Sequence, residues 1–91
     1  MIEVSHSGGD VWVVSVQSAV NTKHTVRVSA RDLAELVPGG TAEELLTESF
    51  RFLLEREPNT SILRSFDLPL IGQYFPEYKQ EIRTRLLRRK A

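Results

Sequence analysis

TAEELLTESFRFLLERE, residues 41–57, combines a complete helix start, an uninterrupted apolar face and a clear stop. With Thr41 as N-cap, its hydroxyl can accept from the orphan backbone N–H of Glu44. The Glu44 carboxylate can reach back to the N–H of Thr41, completing a capping box. Gly39 and Gly40 break whatever precedes, and Glu43 and Glu44 place negative charge where the helix dipole favours it. Pro58, which lacks an N–H and disfavours helical geometry at Glu57, supplies the stop. At about 100° per residue, Ala42, Leu45, Leu46, Phe50, Phe52, Leu53 and Leu54 sweep an arc of roughly 200°. Glu44, Glu48, Arg51 and Glu55 fill the rest. An apolar arc that wide exceeds one contact surface, so the helix has to be covered from two directions. A sheet is expected on one flank, and the C-terminal helix or a partner molecule on the other.

The residues before this helix read as strands. Ile2 to His6 alternates apolar and polar, and Ser7, Gly8, Gly9 and Asp10 carry turn chemistry. VWVVSV, residues 11–16, is β-prone and apolar at nearly every position. His24 to Ser29 alternates again, with Val26 and Val28 on one face and Thr25, Arg27 and Ser29 on the other. The connections are too short for parallel crossovers, which predicts an antiparallel three-stranded meander. Ser29 is a candidate N-cap for a short helix, Ala30 to Val37, ended by Pro38 and the two glycines.

After Pro58 the spacing predicts a turn or two of helix from Asn59 or Thr60 through Leu63. Asp67 is then expected to cap a short helical segment through Ile71 that Gly72 loosens. Pro76 would open a last helix whose face is Tyr78, Ile82 and Leu86, with Arg85 and Leu87 at its margins. The expectation is a single α+β domain: an N-terminal antiparallel three-stranded meander followed by a helical half packed around one central helix.

Composition bounds what such a domain does. With 91 residues, 41% of them hydrophobic and 26% charged, the chain suits one globular core with little stability to spare. No apolar run approaches a membrane span, and the first residues lack the layout of a signal peptide; a cytoplasmic location is expected. With no cysteine, thiolate catalysis, disulfides and cysteine-ligated metal sites are excluded. The net charge of zero hides an asymmetry, because residues 77–91 hold six cations against two acids and leave the remainder of the chain at −4. Lys23, Arg27 and Arg31 form a second, smaller basic run.

Candidate chemistry is sparse. His6, Asp10 and His24 match no ligand spacing and read as ordinary turn and strand-end residues. Ser5 and Ser7 beside His6 point to the opposite face of a strand from it, which rules out a triad. SGGD, residues 7–10, lacks the strand–loop–helix setting of a phosphate-binding loop. Neither a catalytic residue nor a cofactor or metal is therefore expected. The aromatic segment between Ile62 and Tyr78 is the more informative feature. Phe66, Leu70, Tyr74, Phe75 and Tyr78 either close the open end of the core or present amphipathic rings to a partner. These five are the candidate partner-binding residues of a non-enzymatic interaction module, which would dock a protein partner or a second copy of itself as a homodimer.

HTVRVSARDLAELVPGGTAEELLTESFRFLLERE, residues 24–57, has the order strand, helix, glycine turn, capped helix, and in that order resembles a ribbon-helix-helix domain of bacterial repressors and antitoxins. The resemblance implies a dimeric DNA-binding regulator. Its strand would pair with its twin, and Thr25, Arg27 and Ser29 would enter the major groove. The helix N-terminus at Thr41 would lie near a phosphate, and Arg85, Arg88 and Arg89 would add phosphate contacts. FRFLLEREPNTSILRSFDLPLIGQYFPEY, residues 50–78, is similar to small bacterial proteins, and this similarity implies no activity.

Overall fold

A computed structural model describes the backbone of residues 1–90 and the side chains of residues 1–88. Three strands, β1 (Ile2–Gly8), β2 (Val11–Val16) and β3 (Thr22–Arg27), form the antiparallel meander that the alternation implies. β1 turns into β2 through Gly9, whose φ of 54° suits glycine, with a register shift between His6 and Gly8. α1 (Ala30–Leu36) and α2 (Ala42–Leu54) follow. A single 3₁₀ turn (Asn59–Ser61), β4 (Ser65–Asp67), α3 (Leu70–Tyr74) and α4 (Tyr78–Lys90) complete the chain.

The sheet has four strands in the order β1-β2-β3-β4, and β4 runs parallel to β3. The fourth strand corrects the sequence reading, which took Asp67 as a helix cap. Three residues are too few for alternation to register, and a parallel strand needs a long crossover. Here that crossover is made by α1 and α2 themselves. Gly72, expected to loosen a helix, lies inside α3, and the last helix begins at Tyr78 rather than Pro76.

One face of the sheet is buried. Val14 and Val16 of β2 and Thr22, His24 and Val26 of β3 point inward with Val28, while Lys23, Thr25 and Arg27 point out. α2 lies across the inner face. Ser29 closes a full capping box on α1, with Asp32 N–H donating to Ser29 Oγ at 3.1 Å and Ser29 N–H to the Asp32 carboxylate at 3.0 Å. Thr41 caps α2 by accepting from Glu44 N–H at 3.1 Å, but the Glu44 carboxylate takes the Thr41 hydroxyl instead of its backbone N–H. Only half of the box expected there forms.

The wide apolar arc of α2 is covered on both flanks from within the chain. Phe50 and Phe52 are two residues apart, so their side chains leave the helix about 200° from each other. The Phe50 ring lies 5.3 Å from that of His24 and 6.3 Å from that of Phe66, facing the sheet side. The Phe52 ring meets Tyr78 at 5.4 Å and Phe75 at 5.8 Å, both edge-on, and the Arg56 guanidinium caps its other side at 3.6 Å. Tyr78, Ile82 and Leu86 all bury against α2 as their spacing implies, whereas Leu87 is 70% exposed. Glu48, expected among the solvent-facing acids, is instead buried and bonded to Arg51 at 2.8 Å.

Tyr78 supplies a polar lock inside this apolar layer. Ser49 spends its hydroxyl hydrogen on the Leu45 carbonyl at 2.6 Å, so the Tyr78 phenol is the donor in the 2.6 Å bond to Ser49 Oγ. Burial pushes the Tyr78 phenol far above its usual range, against the opposing effect of that bond. The folded chain thus holds the neutral phenol, and the stability it contributes is complete below the ordinary phenol value of about 10 and lost as pH rises past it. Tyr78→Phe is expected to cost about 1 kcal/mol near neutral pH. Above about pH 10 the variant should lose less stability than the parent chain, a difference that paired urea titrations across that range will measure.

Candidate docking site

Between the end of α2 and the start of α4 the chain crosses back to the sheet, adds β4 and turns through α3. These pieces leave an apolar groove of about 440 Å³. Leu53, Ile62 and Ile71 are buried beneath it, and Phe66, Leu70 and Phe75 line it half-buried. Leu63 at 48% and Tyr74 at 67% exposure stand at its rim. Glu57 and Ser61 are the polar residues among its described lining.

The groove keeps its shape because the crossover is tied to the sheet by a buried polar relay. Asn59 Nδ2 donates to the Val20 carbonyl at 2.7 Å and to Thr22 Oγ1 at 2.9 Å. Thr22 Oγ1 lies 2.8 Å from His24 Nε2, and His24 Nδ1 lies 2.7 Å from the Leu63 carbonyl. A carbonyl only accepts, so Nδ1 carries the hydrogen toward Leu63 and Nε2 receives the Thr22 hydroxyl. His24 is wholly buried in the middle of the inner sheet face, not at a strand end as its sequence position implies. It fixes the carbonyl of a residue whose own side chain forms the groove rim.

Four of the five residues singled out from the aromatic segment, Phe66, Leu70, Tyr74 and Phe75, come together at this groove; Tyr78, 1% exposed, is core and lies outside it. The sequence reading missed the contributions of Leu53, Leu63 and Glu57. Leu53 reads as an interior position of α2. Leu63 follows a 3₁₀ turn with no periodicity of its own. A signal for the crossover did exist in Asn59, an amide just after a proline and positioned to satisfy backbone groups, but its partner Val20 is 39 residues away.

The residues implied by the ribbon-helix-helix resemblance do not share a surface. Thr25 and Arg27 lie on the exposed outer sheet face, while Ser29 is engaged as the cap of α1. β3 is interior to the sheet. Its Thr25 N–H donates to the Arg64 carbonyl at 2.7 Å and its Arg27 carbonyl accepts from Leu68 N–H at 3.0 Å, while β2 pairs with its other edge. A twin strand finds no free edge there. Arg85 belongs to the helical side, where it binds Glu55 at 2.6 Å and Glu81 at 3.2 Å. These contacts hold the Glu55 carboxyl below its ordinary value and raise Arg85. Arg88 is exposed, and the side chain of Arg89 lies outside the described residues.

Other cations of α4 serve the fold as well. Lys79 pairs with the Glu35 carboxylate, whose pKa it depresses, and Arg83 donates to the Glu35 carbonyl at 2.9 and 3.1 Å, closing the end of α1. A second hollow of about 360 Å³ lies beside this clamp, between Val37, Pro38 and Leu87. His6 is exposed, bonds the Gly9 carbonyl at 2.7 Å and stacks on Trp12 at 4.4 Å. Among the described residues, no three His, Asp or Glu side chains gather as a metal site, and no helix is long and apolar enough to cross a membrane.

Comparison of the chain with family models, with curated proteins and with solved structures found no match. The functional reading accordingly rests on the geometry of the groove. Its rim depends on the relay, so His24→Ala is expected to lower global stability by about 2–4 kcal/mol, combining a cavity with unsatisfied buried groups. Amide exchange at residues 62–67 should quicken more than in the β1–β2 hairpin, as read by hydrogen–deuterium exchange.

Proposed function

We propose that this chain is a small non-enzymatic, cytoplasmic protein-interaction module whose docking site is the groove between α2, β4 and α3. The observation that carries this reading is the exposure of Leu63 and Tyr74 beside half-buried Phe66, Leu70 and Phe75 on a crossover held rigid by internal hydrogen bonds. A packed core gains nothing by holding a tyrosine ring and a leucine in water. A docking surface gains a preorganised apolar anchor site, and large aromatic side chains are the type that dominates binding energy at interfaces. The cysteine-free composition suits a reducing compartment.

The DNA-binding alternative draws support from Thr25 and Arg27 on the open sheet face. As a twin-paired ribbon it requires β3 to exchange β2 or β4 for a second copy, and the groove reading requires no rearrangement.

A photoreactive benzophenone side chain placed at position 74 is expected to capture one discrete protein in cells, and the same group at Thr84 on α4 is not. Leu70→Asp should abolish that capture. Equal labelling from both positions would remove the basis for the reading. Tyr74→Ala and Leu63→Ala are expected to change stability by no more than about 0.5 kcal/mol, because both side chains are exposed. Each should nevertheless weaken docking about tenfold. Light scattering at low salt provides the second arm: duplex DNA should leave the mass unchanged, and a DNA complex weakened by Arg27→Ala would favour the alternative.

A further inference from the structure

The groove adjoins the open edge of the sheet through Phe66 of β4, which lines it. β4 is the terminal strand, and the two bonds that bracket it, from Thr25 N–H to the Arg64 carbonyl and from Leu68 N–H to the Arg27 carbonyl, turn the even-numbered residues of this segment toward β3. In an extended strand the backbone groups alternate in direction, so the N–H and C=O of Ser65 and Asp67 face outward. None of these four groups has a backbone partner among the described residues. Phe66, lying between them, sends its side chain to the inner face, into the lining of the groove.

We propose that the groove takes an extended segment of a partner protein, which adds to β4 as a fifth strand and seats alternate apolar side chains beside Phe66. This rests on the docking function proposed for the groove and names the form of its occupant. The added strand would bond the outward groups of Ser65 and Asp67. The pleat then places the side chains opposite Phe66 on the same face, over Leu63 and Tyr74, and sends the intervening ones to the open outer face. Peptides that extend a sheet in this way draw affinity from the backbone and selectivity from the pockets their alternate side chains fill.

Charge narrows the occupant further. Glu57 is the charged residue among the described lining of the groove, and no ion pair engages it among the described residues. A lysine or arginine near the apolar residues of the segment would pair with it. β1, the other sheet edge, is longer, but neither hollow touches it, and α2 packs across it from inside. An open backbone edge and an apolar groove coincide at β4.

Selection of a displayed library of random heptapeptides against the full chain is the test. The expected winners alternate apolar and polar residues and carry a lysine or arginine. N-methylation of a single backbone amide in a winning peptide should weaken binding about tenfold at alternate positions only, the loss of one hydrogen bond at a time. On the protein side, Ser65→Pro deletes an outward N–H while leaving the bonds to β3, and should weaken the same peptide about tenfold, with Ser65→Ala neutral. If Ser65→Pro fails to fold, the N-methyl series decides alone. Winners that tolerate N-methylation throughout, become helical on binding and still require Leu63 and Tyr74 would overturn strand addition while leaving the docking function standing. Recovery of no groove-dependent peptide would count against both. Peptides that protect β1 amides rather than those of β4 in exchange measurements would overturn the assignment of the edge.

Discussion

Everything in this small fold follows from the need to bury Phe50 and Phe52 at once. Two phenylalanines separated by one residue leave a helix on opposite flanks, and no single layer can cover both. The meander supplies one cover and α4 supplies the other, so α2 becomes the middle of the molecule although it is the fifth of its elements in chain order. The covers also differ in kind. On the sheet side the contact is ring against imidazole and phenylalanine, backed by valines. On the α4 side it is ring against phenol, sealed by an arginine whose carboxylate partner, Glu77, sits just before α4.

Because α2 is filled on both flanks, it contributes only Leu53 to the groove, and the remaining apolar lining comes from where the chain leaves it. The segment between α2 and α4 must recross the molecule, supply the last strand and still leave Phe75 and Tyr78 against Phe52. Its short turns bond their own backbone, as from Ser61 N–H to the Pro58 carbonyl and from Phe75 N–H to that of Ile71, and two side-chain ties join it to the sheet: His24 to the Leu63 carbonyl and Asn59 to that of Val20. Such a crossover is rigid in its backbone and open in its side chains, a combination that suits recognition.

The sequence was most legible where a local rule had a local partner. The caps at Ser29 and Thr41, the apolar run of β2, the alternation of β3, and the spacing of Tyr78, Ile82 and Leu86 are all short-range patterns, and each reappears in the structure. The wide arc on α2 carried long-range information too, since it demanded two covers before either was known. What could not be read were pairings between distant segments: β4 against β3, His24 against Leu63, Asn59 against Val20. Glu48 misled because a charged residue at a helix margin looks solvated, whereas its side chain is covered and pairs outward with the largely exposed Arg51. Much of the aromatic segment lines the groove, but only the structure could separate Tyr78, which turns inward to Ser49, from Tyr74, which turns out.

The parallel placement of β4 has a consequence for the order in which the molecule assembles. The three-stranded meander closes through neighbouring residues, but β4 pairs with β3 across a crossover that contains α1 and α2. The His24–Leu63 bond that secures it spans 39 residues. Contacts of such long loop closure form late and contribute their stability last. The edge strand and the rim beside it thus close the longest loop of the sheet, and the buried relay through Asn59, Thr22 and His24 is what holds that closure. In this chain the surface proposed for docking is also the seam along which the fold is closed.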